Sequence, residues 1–318
     1  FGKYEVTGPR AAEWLDHVMA NRLPRVGRMT LSPMLTPSGR LAGDFTIARL
    51  AEDRFQLIAA YNAQAFHMRW FEQFLPAAGV NLRNVSLERF GFQIAGPNAR
   101  RLLERVADAD VSSESFPFLS VREMHVGHCP AIVGRVTFTG DLGYEIFVPP
   151  DFQVALFETL ERAGEDLGLR PFGMRAMLSL RLEKSFGAWL REYKPEYTPA
   201  ETGLDVFVAP DKGEFVGREA ALRAREEPPD RRLTTLVVDA RDADVHGDEP
   251  IWRGSEIVGF VTSGGYAHYV EESVALGFVP TDLIRDGETF EIEILGEPRP
   301  ATVTTRALFD PGGERMRS

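Results

Sequence analysis

Alternating apolar and polar positions give way to apolar positions at helical spacing twice along this chain, in the same order. Lys3-Tyr4-Glu5-Val6-Thr7-Gly8-Pro9-Arg10-Ala11 resembles Gly91-Phe92-Gln93-Ile94-Ala95-Gly96-Pro97-Asn98-Ala99, at a constant offset of 88 residues. Leu15 and Val18 fall opposite Leu103 and Val106 at the same offset. Each copy reads as a strand that ends at a turn-tolerant Gly. Pro follows, its φ already set for a first helical turn, and then apolar residues at helical spacing. Two β–Gly-Pro–α units predict an internal duplication, with copies starting near residues 1 and 89.

Strand patterns follow at Met29–Met34, Gly43–Leu50, Phe55–Ala60, Ala131–Phe138 and Glu145–Val148. Helical patterns cover Ala63–Leu75, Phe152–Leu167 and Pro171–Ser185. Strands and helices interleave, yet many strands are hairpin-linked, which predicts an α+β fold rather than a doubly wound parallel sheet. The texture changes after Pro228-Pro229. Short alternating segments at Leu233–Asp239, Glu256–Thr262, Ser273–Val279, Thr289–Leu295 and Ala301–Arg306 are spaced by turns, with no convincing helix. They predict a small β-barrel or sandwich. The expected division is 1–227 and 228–318, with the boundary at 225–232.

Composition narrows the partners. The 36 basic and 47 acidic residues leave a formal charge of −11, and such a surface repels phosphate backbones, so nucleic acid is not an expected partner. A single cysteine, Cys129, excludes an internal disulfide framework and multi-cysteine metal sites. No apolar run approaches the about 20 residues that cross a bilayer, and no signal-peptide pattern opens the chain. Charge and cysteine use point to a reducing, cytoplasmic setting. The chain starts at Phe1 without Met, as a fragment would, and targeting signals upstream of it lie beyond this reading.

Motifs for dinucleotides, the Walker phosphate loop, the G-x-S-x-G elbow and the H-E-x-x-H zinc helix are all lacking. His125-Val126-Gly127-His128-Cys129 is the best metal candidate, but it reads as a turn entering a strand, so no metal site is expected. Four clusters look more purposeful. Leu35 to Ile47 places Asp44, a poor strand former, early in a strand after a Pro37–Gly39 turn; a carboxylate there costs stability unless it has partners or a task. Phe138 to Phe147 sets Glu145 in a strand flanked by aromatics. Gly173 to Lys184 puts Arg175 and Ser179 on one helix face. Gly259 to Tyr266 is glycine-rich. Spacing alone names no ligand for any of them, and a structural role suits each better.

Taken together and in this order, the clusters resemble the aminomethyltransferase fold of the glycine-cleavage T-protein family. Met34-Leu35-Thr36-Pro37-Ser38-Gly39-Arg40, Leu182 to Trp189, Thr198-Pro199-Ala200-Glu201-Thr202-Gly203-Leu204 and Phe309 to Arg317 resemble the folate-binding C-terminal portion of dimethylglycine and sarcosine dehydrogenases. The resemblance covers nearly the whole chain. It implies a ring of two related α+β subdomains plus a small C-terminal β-barrel around a tetrahydrofolate cavity.

Residue by residue, the resemblance implies that Asp44 is the catalytic aspartate near the reactive folate nitrogens, and that Glu145 grips the pterin edge. A carboxylate suits that grip because it accepts two parallel hydrogen bonds. Arg175 corresponds to a folate-contacting arginine, whose fork suits a carboxylate or carbonyl. Tyr61 and Asn62 lie where the glycine-cleavage enzymes place a folate-contacting asparagine. Phe138 stands where those enzymes have Tyr, so it keeps stacking and loses a hydroxyl contact. Their two adjacent aspartates are Gly43-Asp44 here, leaving one carboxylate.

The activity so implied is tetrahydrofolate-dependent one-carbon transfer from an oxidised N-methyl amine of the dimethylglycine or sarcosine type, giving 5,10-methylenetetrahydrofolate. FAD is expected only in a flavin-binding domain upstream or as a partner. Three alternatives stay open: a free-standing tetrahydrofolate-dependent demethylase or methyltransferase of a small methylated compound, a non-catalytic folate-binding module, and a purely structural domain beside a flavoprotein. The iron–sulfur assembly branch carries a Lys-Gly-Cys-Tyr-type motif, and the matching segment reads Lys184-Ser185-Phe186-Gly187.

Overall fold

The computed structural model describes every residue from Phe1 to Ser318. Strand β1 (Gly2–Thr7) ends at Gly8, whose φ of 119° turns the chain into α1 (Ala11–Val18). That helix buries Ala11, Trp14, Leu15 and Val18, one face at a spacing of three and four. Antiparallel β2 (Arg28–Leu35), β3 (Leu41–Ala51) and β4 (Arg54–Ala59) follow, then α2 (Gln64–Phe74) and a short β5 (Asn81–Asn84). The sheet order is β2-β3-β4-β1-β5.

The same course then repeats. Strand β6 (Phe90–Ala95) ends at Gly96, again with φ 119°, and leads into α3 (Ala99–Glu104). Strands β7 (Val121–Val126), β8 (Cys129–Gly134) and β9 (Gly143–Val148) and helix α4 (Gln153–Gly164) complete it. The order β7-β8-β9-β6 reproduces β2-β3-β4-β1 position for position.

Each sheet turns one face to its own helices, around Tyr4, Leu15, Phe45 and Phe71 in the first and Ile94, Leu103, Tyr144 and Leu156 in the second. The opposite faces meet each other through Met29, Ala48, Ile58, Val121, Ile132 and Phe147. Backbone bonds stitch this seam, Met29 N–H donating to Leu119 O at 2.8 Å and Val121 N–H to Gly27 O at 2.9 Å.

After α4, helix α5 (Met174–Glu183) lies against the third body, Leu182 packing with Ala267, Val274 and Leu276. The chain then returns to the first sheet through α6 (Pro199–Thr202) and α7 (Arg218–Glu226), where Trp189, Leu204, Phe215 and Ala221 pack on Ala20, Leu35 and Leu41. Thr198 and Glu201 cap α6 reciprocally around Pro199 at its first turn.

Six strands close the third body into a barrel: β10 (Arg231–Val238), β11 (Pro250–Arg253), β12 (Glu256–Ala267), β13 (Glu272–Pro280), β14 (Thr289–Ile294) and β15 (Glu297–Thr304). Leu236, Ile251, Val261, Phe290 and Val303 fill it. A four-residue helix, α8 (Glu314–Arg317), ends the chain.

The fold is α+β, as the pattern predicts, and the late all-β segment is a closed barrel rather than a sandwich. Three local expectations need correction. Strand β8 stops at Gly134 instead of running to Phe138: Thr137 and Thr139 bond to each other at 3.1 Å, and Gly140 takes φ 87°, so the chain leaves the ladder. The short β11 escapes the pattern because it opens on Pro and shifts register after Ile251. The last turn of helix after the barrel was not anticipated either. No helix is long and apolar enough to cross a membrane.

Candidate functional site

Where the seam between the two sheets opens toward the barrel, a cavity of about 2840 Å³ forms. Drug-sized ligand pockets run to about 300–1,000 Å³, so this one exceeds the space that a single such ligand needs. Asp44, Tyr61, Asn62, Phe138, Glu145 and Arg175 all line it. The fold thus gathers six residues whose ends lie 131 positions apart, Asp44 and Arg175, onto one surface.

Asp44 sits on β3 directly across from Pro33 of β2. Its neighbours Phe45 and Ile47 point to the first core, so pleat alternation sends Asp44 and Thr46 to the cavity. Its Oδ1 atom is buried and has no hydrogen-bond partner. Burial pushes the Asp44 carboxyl up to about 7, a backbone hydrogen bond offsetting it only in part.

Glu145 sits on β9, where Tyr144, Ile146 and Val148 belong to the second core and Glu145 faces the cavity. Burial raises it too, to about 7, with the Phe1 amino group and then the Lys3 ammonium pulling the other way. Two desolvated carboxyls, both raised well above the ordinary carboxylate range, therefore share one cavity.

Phe138 stands on the loop between β8 and β9 and stacks on Phe186, centroids 6.3 Å apart and planes at 18°. Arg175 lies in the first turn of α5, exposed at the cavity mouth. Tyr61 and Asn62 open a 3₁₀ turn before α2 and are also exposed. Ser179 lines the same cavity as Arg175, but its hydroxyl is engaged, donating to Tyr266 O at 2.8 Å and tying α5 to β12. His125 pairs with Asp108 at 3.1 Å on the rim of a hairpin.

Tyr193 is a neighbour that sequence reasoning missed. It lines the cavity, and burial together with the Asp44 charge holds its phenol neutral. Gly187 makes room for it, since a Cβ there would lie 2.5 Å from the Tyr193 ring. The Phe186-Gly187-Ala188 stretch was the available signal, a glycine beside aromatics, but nothing local says which ring it accommodates. The barrel contributes Ser263, Gly264 and Tyr266, so the glycine-rich cluster on β12 is a third wall of the cavity.

The profile of the GCVT N-terminal domain matches residues 1–212, and that of the glycine cleavage T-protein C-terminal barrel domain matches residues 231–310. The chain belongs to the glycine cleavage T-protein family. An aminomethyltransferase of Symbiobacterium thermophilum is 32% identical over 97% of this chain and 84% of its own length. Mouse mitochondrial dimethylglycine dehydrogenase is 35% identical over 99% of this chain and 37% of its own length. The alpha subunit of sarcosine oxidase from Rhizobium meliloti is 32% identical over 99% of this chain and 34% of its own length. The chain thus spans little more than a third of the dehydrogenase and oxidase relatives. The crystal structure of the glycine cleavage system aminomethyltransferase T from Bartonella henselae superposes with a TM-score of 0.88, covering 98% of this chain and 84% of that one at 24% identity. The ring of two related α+β bodies and a barrel is therefore the T-protein fold.

Proposed function

We propose that this chain is the one-carbon transfer module of a dimethylglycine- or sarcosine-type N-methyl amine pathway, with tetrahydrofolate as acceptor. The observation that carries the reading is the pair of desolvated carboxyls, Asp44 and Glu145, lining one cavity, with Asp44 Oδ1 free of any hydrogen-bond partner. Similarity to dimethylglycine dehydrogenase, 35% identity over 99% of this chain, supports the donor class.

The residues fit such a ligand. Glu145 accepts two parallel N–H bonds from an aminopyrimidine edge, Phe138 and Phe186 flank a planar ring and exclude water, and exposed Arg175 suits the ligand's carboxylate tail. Tyr61 and Asn62 line the same cavity and remain contact candidates. Tetrahydrofolate, when bound, supplies the nucleophilic nitrogen that receives the one-carbon unit. Asp44 Oδ1, free of any partner, takes up the proton released as the carbon–nitrogen bond forms and stabilises positive charge there. General-base help of this kind is worth about 10²–10⁴-fold.

The test is single-turnover transfer from an N-methyl amine oxidised in situ by a flavin oxidase. Asp44→Asn should retain folate binding and lose about 10²–10⁴ in rate. Transfer at the wild-type rate would remove Asp44 from the mechanism.

A further inference from the structure

Strand register brings a second polar side chain to the wall that carries Glu145. In the β6–β9 ladder Gln93 is the direct partner of Glu145. Both side chains therefore leave the sheet on one face, their Cβ atoms about 4.5–5.5 Å apart. That face looks into the cavity, while Ile94, Tyr144 and Ile146 turn to the helix-covered core.

Three cavity-lining residues carry a buried side-chain polar atom without a partner: Asp44 Oδ1, Gln93 Nε2 and Arg181 Nε. Arg181 is otherwise engaged, donating to Phe186 O, Glu192 and Ser263. Asp44 has a task in the transfer. Gln93 Nε2 is the remaining unspent donor, and a buried donor left unpaired is destabilising until something completes it. The Phe1 amino group and the Lys3 ammonium also lie near Glu145, and Lys3 donates to Ser86 O at 3.4 Å.

An amide can present either end to a ligand. The Glu145 carboxylate across the ladder selects the end, because its charge attracts the amide N–H₂ and repels the amide oxygen. The wall then shows two acceptors beside one donor. Its complement is a planar edge with two N–H groups followed by a carbonyl.

We propose that Gln93 is a specificity-determining residue that donates to a carbonyl beside the N–H groups held by Glu145, so that the site selects a 4-oxo over a 4-amino pyrimidine edge. The inference rests on the folate reading above and sharpens it to a class of ring. A 4-amino group in that place sets donor against donor, a mismatch that sites built to hydrogen-bond reject strongly.

Calorimetric titration of the full chain with tetrahydrofolate and with its 4-amino-4-deoxy analogue tests this. The readout is the ratio of the two affinities, variant against wild type, which cancels any preference that Glu145 itself has. Gln93→Met keeps the volume and removes the donor, and should move the ratio toward the amino ligand by about tenfold, the worth of one buried hydrogen bond. Gln93→Leu, which likewise removes the donor, should move it to a similar extent. A ratio within about twofold of wild type in both variants overturns the proposal, even where both ligands weaken together, since that marks a packing role. Should Gln93→Met not fold by thermal melt, Gln93→Leu carries the test alone. Failure of both ligands to bind wild type would overturn the folate reading, and this inference with it.

Discussion

Asp44 and Glu145 owe their chemistry to burial that their neighbours offset only in part. Most acidic residues here sit on the surface, several paired with arginine, as Glu13 with Arg10 and Asp166 with Arg105. Burial raises Asp44 and Glu145 from the ordinary range near 4 to about 7. A carboxyl with a raised folded-state pKa adds stability fully below its unfolded value, and that contribution is lost as pH rises through about 7. Asp44→Asn should therefore stabilise the fold relative to wild type at pH 8, with the advantage fading toward pH 5, as read from urea midpoints at each pH. A pH-independent difference would show that Asp44 is not desolvated. In the sequence, a carboxylate inside a strand was a legible oddity at Asp44, though its role came from family resemblance. Gln93 was not legible, because it meets Glu145 only through a ladder that pairs positions 52 apart.

At the scale of elements, the repeated strand–Gly-Pro–helix unit gives an internal control. Gly8 and Gly96 occupy equivalent turns with the same φ of 119°. A Cβ on Gly8 would sit 2.5 Å from Gly79 O, whereas one on Gly96 meets nothing within 4 Å. Both alanine variants bear backbone strain of about 1–3 kcal/mol, and Gly8→Ala adds a steric displacement on top. Gly8→Ala should thus be clearly the less stable in urea unfolding, and equal loss would show that the backbone at Gly8 yields freely. The repeat was readable because glycine and proline punctuation is local. The end of β8 and the existence of β11 were not, since side-chain bonds of Thr137 and barrel closure decide them, and neither leaves an alternation in the sequence.

For the molecule as a whole, the cavity exists only where three bodies meet, so their joints matter as much as its walls. Arg181 on α5 and Glu192 form an ion pair at 2.8 Å with side-chain exposures of 4% and 0%. Arg181 also donates to Ser263 on β12, and Glu192 accepts from Thr262. Breaking a buried pair by removing one partner costs about 3–5 kcal/mol, so Arg181→Met should lower stability by that amount in urea unfolding. A loss under about 1 kcal/mol would mean that solvent screens the pair as it does on a surface. The sequence foretold three bodies but not this joint, whose members are separated by up to 82 residues.

The central claim is that the cavity holds reduced folate through Glu145. Calorimetric titration of the chain with tetrahydrofolate, wild type against Glu145→Ala, tests it most directly. The account predicts one saturable site in wild type and a loss of about 10²–10⁴-fold in the variant, the worth of two hydrogen bonds to a charged acceptor. Wild-type affinity in Glu145→Ala, or no saturable binding in wild type, would contradict it.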